Sequence, residues 1–198
     1  MPSNPEGQIF PDWLTATLAS DATDGRSVLP YWIKTLQLGS RLIGRAFVIL
    51  ACEDDNQALR EAMASPFPEG CVLVVGGHDT SRTAVMGDLM AMELQQGGVV
   101  GLITDGLVRD SGEIRQLRFP VWCRGTTPAA SNKHDPGVIG GAVTLGGAIV
   151  RDGDLVIADD DGVVIWPVDD YDALLAKAQA RLDSDNARLA RIGAAQRR

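Results

Sequence analysis

The sequence predicts an α/β fold, a single domain over residues 1–198 built on a mixed sheet and closed by a C-terminal helix over residues 170–198. Three patterns predict it. Apolar runs of strand length, residues 71–75 and 99–104, are separated by a segment of good helix formers. Beyond Gly137 the pattern turns to short apolar runs punctuated by Gly-Gly and Asp-Gly pairs, the signature of consecutive strands. The final stretch carries apolar residues at helical spacing.

In chain order, Asp12 is the expected N-cap of a first helix bearing Trp13, Leu14, Leu18 and Ala22, ended by Asp24-Gly25. Residues 27–40 read as loop, and residues 41–50 as the first long strand. Asp54 or Asp55 caps a second helix over 56–64, which Pro66 and Pro68 cannot continue. Residues 71–75 form a buried strand ending at Gly76-Gly77. A helix follows Gly87-Asp88 and stops at Gly97-Gly98, because glycine reaches the left-handed C-cap conformation without a Cβ clash. The strand 99–104 ends at Asp105-Gly106, 119–123 is another short strand, and 125–137 is a polar loop. Runs 142–145, 148–150, 155–158 and 163–166 are joined by Gly146-Gly147, Asp152-Gly153 and Asp161-Gly162, each read as a hairpin turn. Leu175, Ala178, Leu182, Leu189 and Ile192 make one stripe of the last helix, interrupted by Asp185. No internal repeat or linker is present.

Composition excludes several classes of function. The net charge of −8 and pI of about 4.7 repel phosphate backbones, and no basic patch occurs outside the extreme C-terminus, so direct nucleic-acid binding is not expected. Three widely spaced cysteines make neither a disulfide framework nor a thiolate zinc site. The N-terminus lacks the features of a secretory signal, and no apolar run approaches the ~20 residues that span a bilayer. A soluble cytoplasmic protein is the expectation.

Chemistry concentrates between Gly87 and Asp110. Asp88 at a helix start and Arg109-Asp110 beyond a strand bracket one buried unit, at the end where open α/β sheets bind ligands. Asp110 suits Mg²⁺ or Mn²⁺, which keep several waters and need one or two carboxylates. Arg109 suits a carboxylate, and the amides of Leu89 and Met90 form a second anion site. The plainer alternative is that Asp88 caps a helix and Arg109 and Asp110 are a solvated pair. His78, after a strand, is either a functional group or a loop residue, with His134 a weaker candidate. Two histidines exclude a histidine-rich zinc site. Lys34, Lys133 and Lys177, the only lysines, lie outside apolar strands, against Schiff-base chemistry. Asp159-Asp160-Asp161-Gly162 lacks the alternation of a calcium loop and reads as a turn.

Several blocks together resemble the RraA-like family of class II pyruvate aldolases and regulators of ribonuclease E activity. They are Leu42-Ile43-Gly44-Arg45-Ala46, Asp55-Asn56, Gly87-Asp88-Leu89-Met90-Ala91, Asp105-Gly106-Leu107-Val108-Arg109-Asp110, Phe119-Pro120-Val121 and the run from Gly153 to Val164. Asp88 and Arg109-Asp110 fit that family's D-x20-R-D motif. The resemblance implies a β/β/α sandwich assembled into trimers or hexamers, with sites at subunit boundaries. It implies a metal on Asp110, water-mediated action by Asp88, and Arg109 on the keto acid and its enolate. Gly87, Leu89 and Met90 would hold the pyruvyl carboxylate, and an acid from a neighbouring subunit, Asp183 or Asp185, would complete the site. Aldol cleavage of a 4-hydroxy-2-oxo acid and oxaloacetate decarboxylation follow, with a non-catalytic regulator of an RNA-processing enzyme as the alternative. Methyl transfer to a quinone, a name attached to some relatives, lacks a glycine-rich nucleotide loop here. The chain departs from the family at Gly76, where relatives carry Asp, and at Trp166, where they carry an aliphatic residue.

Overall fold

The computed structural model describes residues 10–195; the readings of the first nine residues and of the basic end at 196–198 lie outside the described residues. The chain runs α1 (Ala16–Ala22), β1 (Lys34–Thr35), β2 (Leu42–Leu50), α2 (Gln57–Ala62), β3 (Val72–Gly76), β4 (Ala84–Met86), α3 (Asp88–Gln96), β5 (Gly101–Thr104), β6 (Leu107–Val108) and α4 (Ser111–Leu117). It continues through β7 (Val121–Cys123), β8 (Gly125–Thr126), β9 (Val138–Ile139), β10 (Ala142–Leu145), β11 (Ala148–Arg151), β12 (Leu155–Asp159), β13 (Gly162–Trp166) and α5 (Tyr171–Ala195).

The main sheet is mixed, in the order β1-β7-β5-β3-β2-β12-β13, with β9 also on β2. β2, β3, β5 and β7 are parallel, and β1, β9, β12 and β13 join antiparallel. Alternation along the strands separates two cores. Leu73 and Val75 face Leu59, Leu94 and Ile114 of α2, α3 and α4, whereas Val72 and Val74 face Val143, Leu145 and Val150 of the β10–β11 hairpin. The result is a β/β/α sandwich. A third core joins α1 to the buried part of α5 around Trp166, whose indole N–H donates to the Ala19 carbonyl at 3.1 Å. Gly76 lies under Val143 and Leu145, where a Cβ would collide, so the hairpin layer leaves no space for an acid there.

Several sequence expectations need correction. α1 starts at Ala16, not after Asp12: Thr15 Oγ1 accepts the Leu18 amide at 3.3 Å, and the Asp159 carboxylate from β12 accepts the Ala16 amide at 2.8 Å. A tertiary cap has overridden the local one. Asp152-Gly153 does not close a hairpin, because β11 pairs with β10 and β12 pairs with β2 and β13. Asp152 Oδ1 instead accepts the Val48 amide at 2.7 Å, filling the part of the β2 edge between β12 and β9. The Asp-rich stretch does close the β12–β13 hairpin, with Asp159 opposite Gly162 and Asp160 accepting the Gly39 amide at 2.8 Å.

Candidate active site

Arg109 and Asp110 do not follow the main sheet directly. Strand β5 ends at Thr104, and the chain then turns through Asp105-Gly106 into β6. Thr104 Oγ1 accepts the Gly106 amide at 3.0 Å, and Gly106 packs where a Cβ would strike His78 and Val85. Strand β6 belongs to a separate three-stranded parallel sheet, β4-β6-β8. At its carboxyl ends β4 leads into Gly87-Asp88 and β6 into Arg109-Asp110, so the rule that sites form at such ends holds for the small sheet.

The three charged residues converge. Arg109 Nε lies 3.3 Å from Asp110 Oδ2, and the Asp88 amide is 3.5 Å from the same oxygen. Asp110 takes a left-handed conformation, φ 54° and ψ 41°, as it caps α4, and this turns the chain sharply after Arg109. Gly87, the N-cap of α3, brings its Cα against both side chains: a Cβ there would overlap Asp110 Oδ2 and come within 2.9 Å of Arg109 Nε. Asp88, Arg109, Leu89 and Met90 line a cavity of about 320 Å³. The Leu89 amide is not open to a ligand as the sequence suggested. It donates to Asp88 Oδ1 at 2.8 Å, so an incoming carboxylate competes with Asp88 for it.

The opposite wall comes from α2 and from the loop after β8. Asn56, Arg60, Ser131 and Lys133 line it, residues that the sequence reading left out of the site. The loop is pinned, not free: Asp55 Oδ2 accepts the His134 amide at 2.8 Å, and Asn132 exchanges backbone bonds with Asp54 and Asn56. Burial works against the Asp55 charge, yet the amides of Gln57, His134 and Asp135 hold its carboxyl below the usual range. The one sequence signal for this wall was the Asp55-Asn56 pair.

His78 lies outside the cavity. It is fully buried, neither ring nitrogen has a hydrogen-bond partner, and burial holds its pKa below the ordinary value. Beneath it Asp105 accepts the amides of His78 and Gly77 at 3.0 and 3.2 Å, while burial pushes its carboxyl up to about 6. These groups plug the carboxyl end of the main parallel sheet.

Among the described residues, no three His, Cys, Asp or Glu side chains cluster as metal ligands. Asp110 alone offers a carboxylate beside the arginine, a donor set suited to a hard cation that keeps most of its water and unsuited to zinc or a soft metal. Asp183 and Asp185 are engaged within their own helix, with Gln179 and Arg181. No helix among the described residues is long and apolar enough to cross a membrane.

Fold and site define an α/β sandwich protein with an acid–arginine pocket on a small parallel sheet. The chain belongs to the RraA-like family: the Aldolase/RraA pattern matches residues 15–165. A relative from Halalkalibacterium halodurans, provisionally named 4-hydroxy-4-methyl-2-oxoglutarate aldolase, is 35% identical over 175 residues, spanning 88% of this chain and 83% of the relative. The crystal structure of Streptomyces coelicolor RraAS2, described as an unusual member of the RNase ES inhibitor RraA family, superposes with a TM-score of 0.77 at 28% identity, covering 90% of this chain and 93% of that one. An uncharacterized Pseudomonas syringae protein shares the fold at TM-score 0.83 and 23% identity, over 92% of this chain and 86% of that one.

Proposed function

We propose that this protein is a divalent-metal-dependent class II pyruvate aldolase. It cleaves a 4-hydroxy-2-oxo acid to pyruvate and decarboxylates oxaloacetate at the same site. The observation that carries the reading is the convergence of Arg109, Asp110 and Asp88 around Gly87, with Gly87, Asp88 and Arg109 lining one cavity. The aldolase name of the 35%-identical relative supports it.

The chemistry needs a sink for the electrons released when the C3–C4 bond breaks. Mg²⁺ or Mn²⁺, held by Asp110, supplies Lewis acidity toward the 2-oxo acid when bound. Arg109 places a fixed cation beside the oxygen that becomes the enolate, an effect worth roughly 3 to 4 kcal/mol in comparable sites. Asp110 holds that guanidinium from its Nε side, leaving the remaining N–H groups for substrate. Asp88 orders a water that takes the C4 hydroxyl proton and later returns a proton to the enolate. The α3 N-terminus, with Gly87 and the amides of Leu89 and Met90, receives the pyruvyl carboxylate once Asp88 releases Leu89.

The assembly in this reading is a homotrimer or hexamer in which a neighbour covers the site, with Leu89, 68% exposed at the cavity, as an apolar contact for it. The test is pyruvate release from oxaloacetate and from 4-hydroxy-4-methyl-2-oxoglutarate, with Mg²⁺ or Mn²⁺ and after EDTA. Release that depends on metal and vanishes in Arg109→Ala and Asp110→Ala is expected. Near-normal turnover in either variant overturns the assignment.

The likeness to RraAS2 favours a second reading, a protein-binding regulator of an RNA-processing enzyme. It predicts capture of a ribonuclease E-type enzyme in a pull-down and no pyruvate release with any metal.

A further inference from the structure

The main and small sheets are joined by three short crossings, and these meet at one buried cluster. Residues 77–83 lead from β3 to β4, Asp105-Gly106 leads from β5 to β6, and Arg124 leads from β7 to β8. The Asp105 carboxylate binds the second crossing to the first, accepting the His78 amide at 3.0 Å and the Gly77 amide at 3.2 Å. Arg124 binds the third crossing to both others. Its amide donates to the Gly106 carbonyl at 2.9 Å, and its Nη2 donates to the Ser81 carbonyl and, at 3.4 Å, to the His78 carbonyl. Packing is as close as bonding: a Cβ on Gly106 would lie 2.7 Å from His78 Cβ, and one on Gly77 would overlap the Ala51 carbonyl oxygen.

This cluster holds the small sheet, and with it the charged residues of the site. Strand β6 has only two residues, and Arg109 follows it four positions after Asp105. The Arg109 amide donates to the Met86 carbonyl at 3.0 Å, directly before Gly87-Asp88. So short a strand has little length over which to absorb a shift at its start. Burial opposes the Asp105 charge and the two amides support it, a balance that leaves its carboxyl at about 6. Hydrogen bonds to an ionised acceptor are roughly twice as strong as neutral ones, so protonation slackens both amide contacts. Of the other charged groups, Asp79 bears on Asp105, while Asp54, Asp55 and Arg124 bear on His78, whose charged form burial disfavours.

We infer that Asp105 is a positioning residue for Arg109 and Asp110: its ionised carboxylate, clamped on the Gly77 and His78 amides, holds the start of β6, and protonation slackens that hold. Its effect on turnover rests on the aldolase reading, whereas the clamp itself does not.

Two readouts test it. In ¹⁵N–¹H spectra of the full chain, the Arg109 and Asp110 amides should shift in one step centred on about pH 6, together with those of Gly77 and His78. Asp105→Asn keeps the shape but turns one acceptor into a donor facing a backbone N–H, and should remove the step. His78→Phe should keep it, because Asp105 bonds the backbone of His78. In pyruvate release from oxaloacetate, the parent kcat/KM should fall about tenfold through the same step, and Asp105→Asn should already be about tenfold low above it and lack the step. A merely structural lesion would lower activity without removing that pH dependence. Arg109 and Asp110 amides that do not shift near pH 6, a step that survives in Asp105→Asn, or one that is lost in His78→Phe overturns the inference. If Asp105→Asn does not fold, the other two titrations decide, and a step present in both supports the clamp. A step that Asp105→Asn removes, in a protein that releases no pyruvate, sinks the aldolase reading and leaves the clamp standing; pyruvate release without any step does the reverse.

Discussion

Gly87→Ala adds one carbon at the place where the proposed machinery is closest packed. The backbone accepts it, because φ −119° and ψ −170° at Gly87 are extended values open to any residue. The side chains do not, since the new Cβ overlaps Asp110 Oδ2 and comes 2.9 Å from Arg109 Nε. Restoring ordinary contact moves the carboxylate by about 1 Å, and a displacement of that size costs on the order of 100-fold in rate. Stability should fall by only about 1 kcal/mol, the difference between glycine and alanine at an N-cap, lowering Tm by about 2 to 4 °C. Gly112→Ala is the control: it sits in α4 with nothing within 4 Å of a Cβ and should keep full activity. The assay is kcat/KM for pyruvate release from oxaloacetate with Mg²⁺, beside a thermal melt. A Gly87→Ala protein with a kcat/KM within threefold of the parent refutes the argument that Gly87 sets the position of Arg109 and Asp110.

Other expectations concern the buried polar plug and the last helix. Asp105 has a folded pKa of about 6, raised from 3.8, so the fold favours its protonated form; its contribution to stability declines as pH rises from about 4 to about 6, by on the order of 3 kcal/mol. In urea titrations the parent minus Asp105→Asn difference should decline across that window and be flat above it, and a difference that rises with pH contradicts this. His78 has the opposite sign: its folded pKa is lowered, so stability is lost as pH falls through its unfolded value of about 6.5. His78→Phe should remove that loss, because phenylalanine has no nitrogen to protonate. On α5, Leu189 and Ile192 are 63% and 45% exposed, so changing both to Asp should leave the melting temperature of the isolated chain unchanged. Light scattering should show a smaller assembly if this stripe joins subunits, and an unaltered assembly excludes it.

The strands that are buried on both faces were legible because an unbroken apolar run of 4 to 6 residues has few other uses, as in 71–75 and 99–104. The Asp88 and Arg109-Asp110 spacing was legible as well, since a helix start and a strand end leave charged residues few places to go. Short elements were not: β6 exists because β4 offers it an edge, β8 because β6 offers the next, and the seven-residue α4 because Asp110 adopts a left-handed turn. Asp152-Gly153 has the local signature of a hairpin, but the free segment of the β2 edge drew it into a crossing between sheets.

By itself the sequence determined the α/β class, the helix that opens at Gly87-Asp88, and the candidate acids and arginine, because each rests on local periodicity or on residue type. Tertiary structure alone decided that those residues stand on a small separate sheet, with the Gly87 Cα against Asp110 and Arg109. It alone brought Asn56, Arg60 and Lys133 to the same cavity, from positions 53, 49 and 24 residues away from Arg109 along the chain. The reason is that strand pairing and loop anchoring join residues distant in sequence, and the backbone bonds among Asp54, Asn56 and Asn132 that close the cavity leave no periodic trace in the chain.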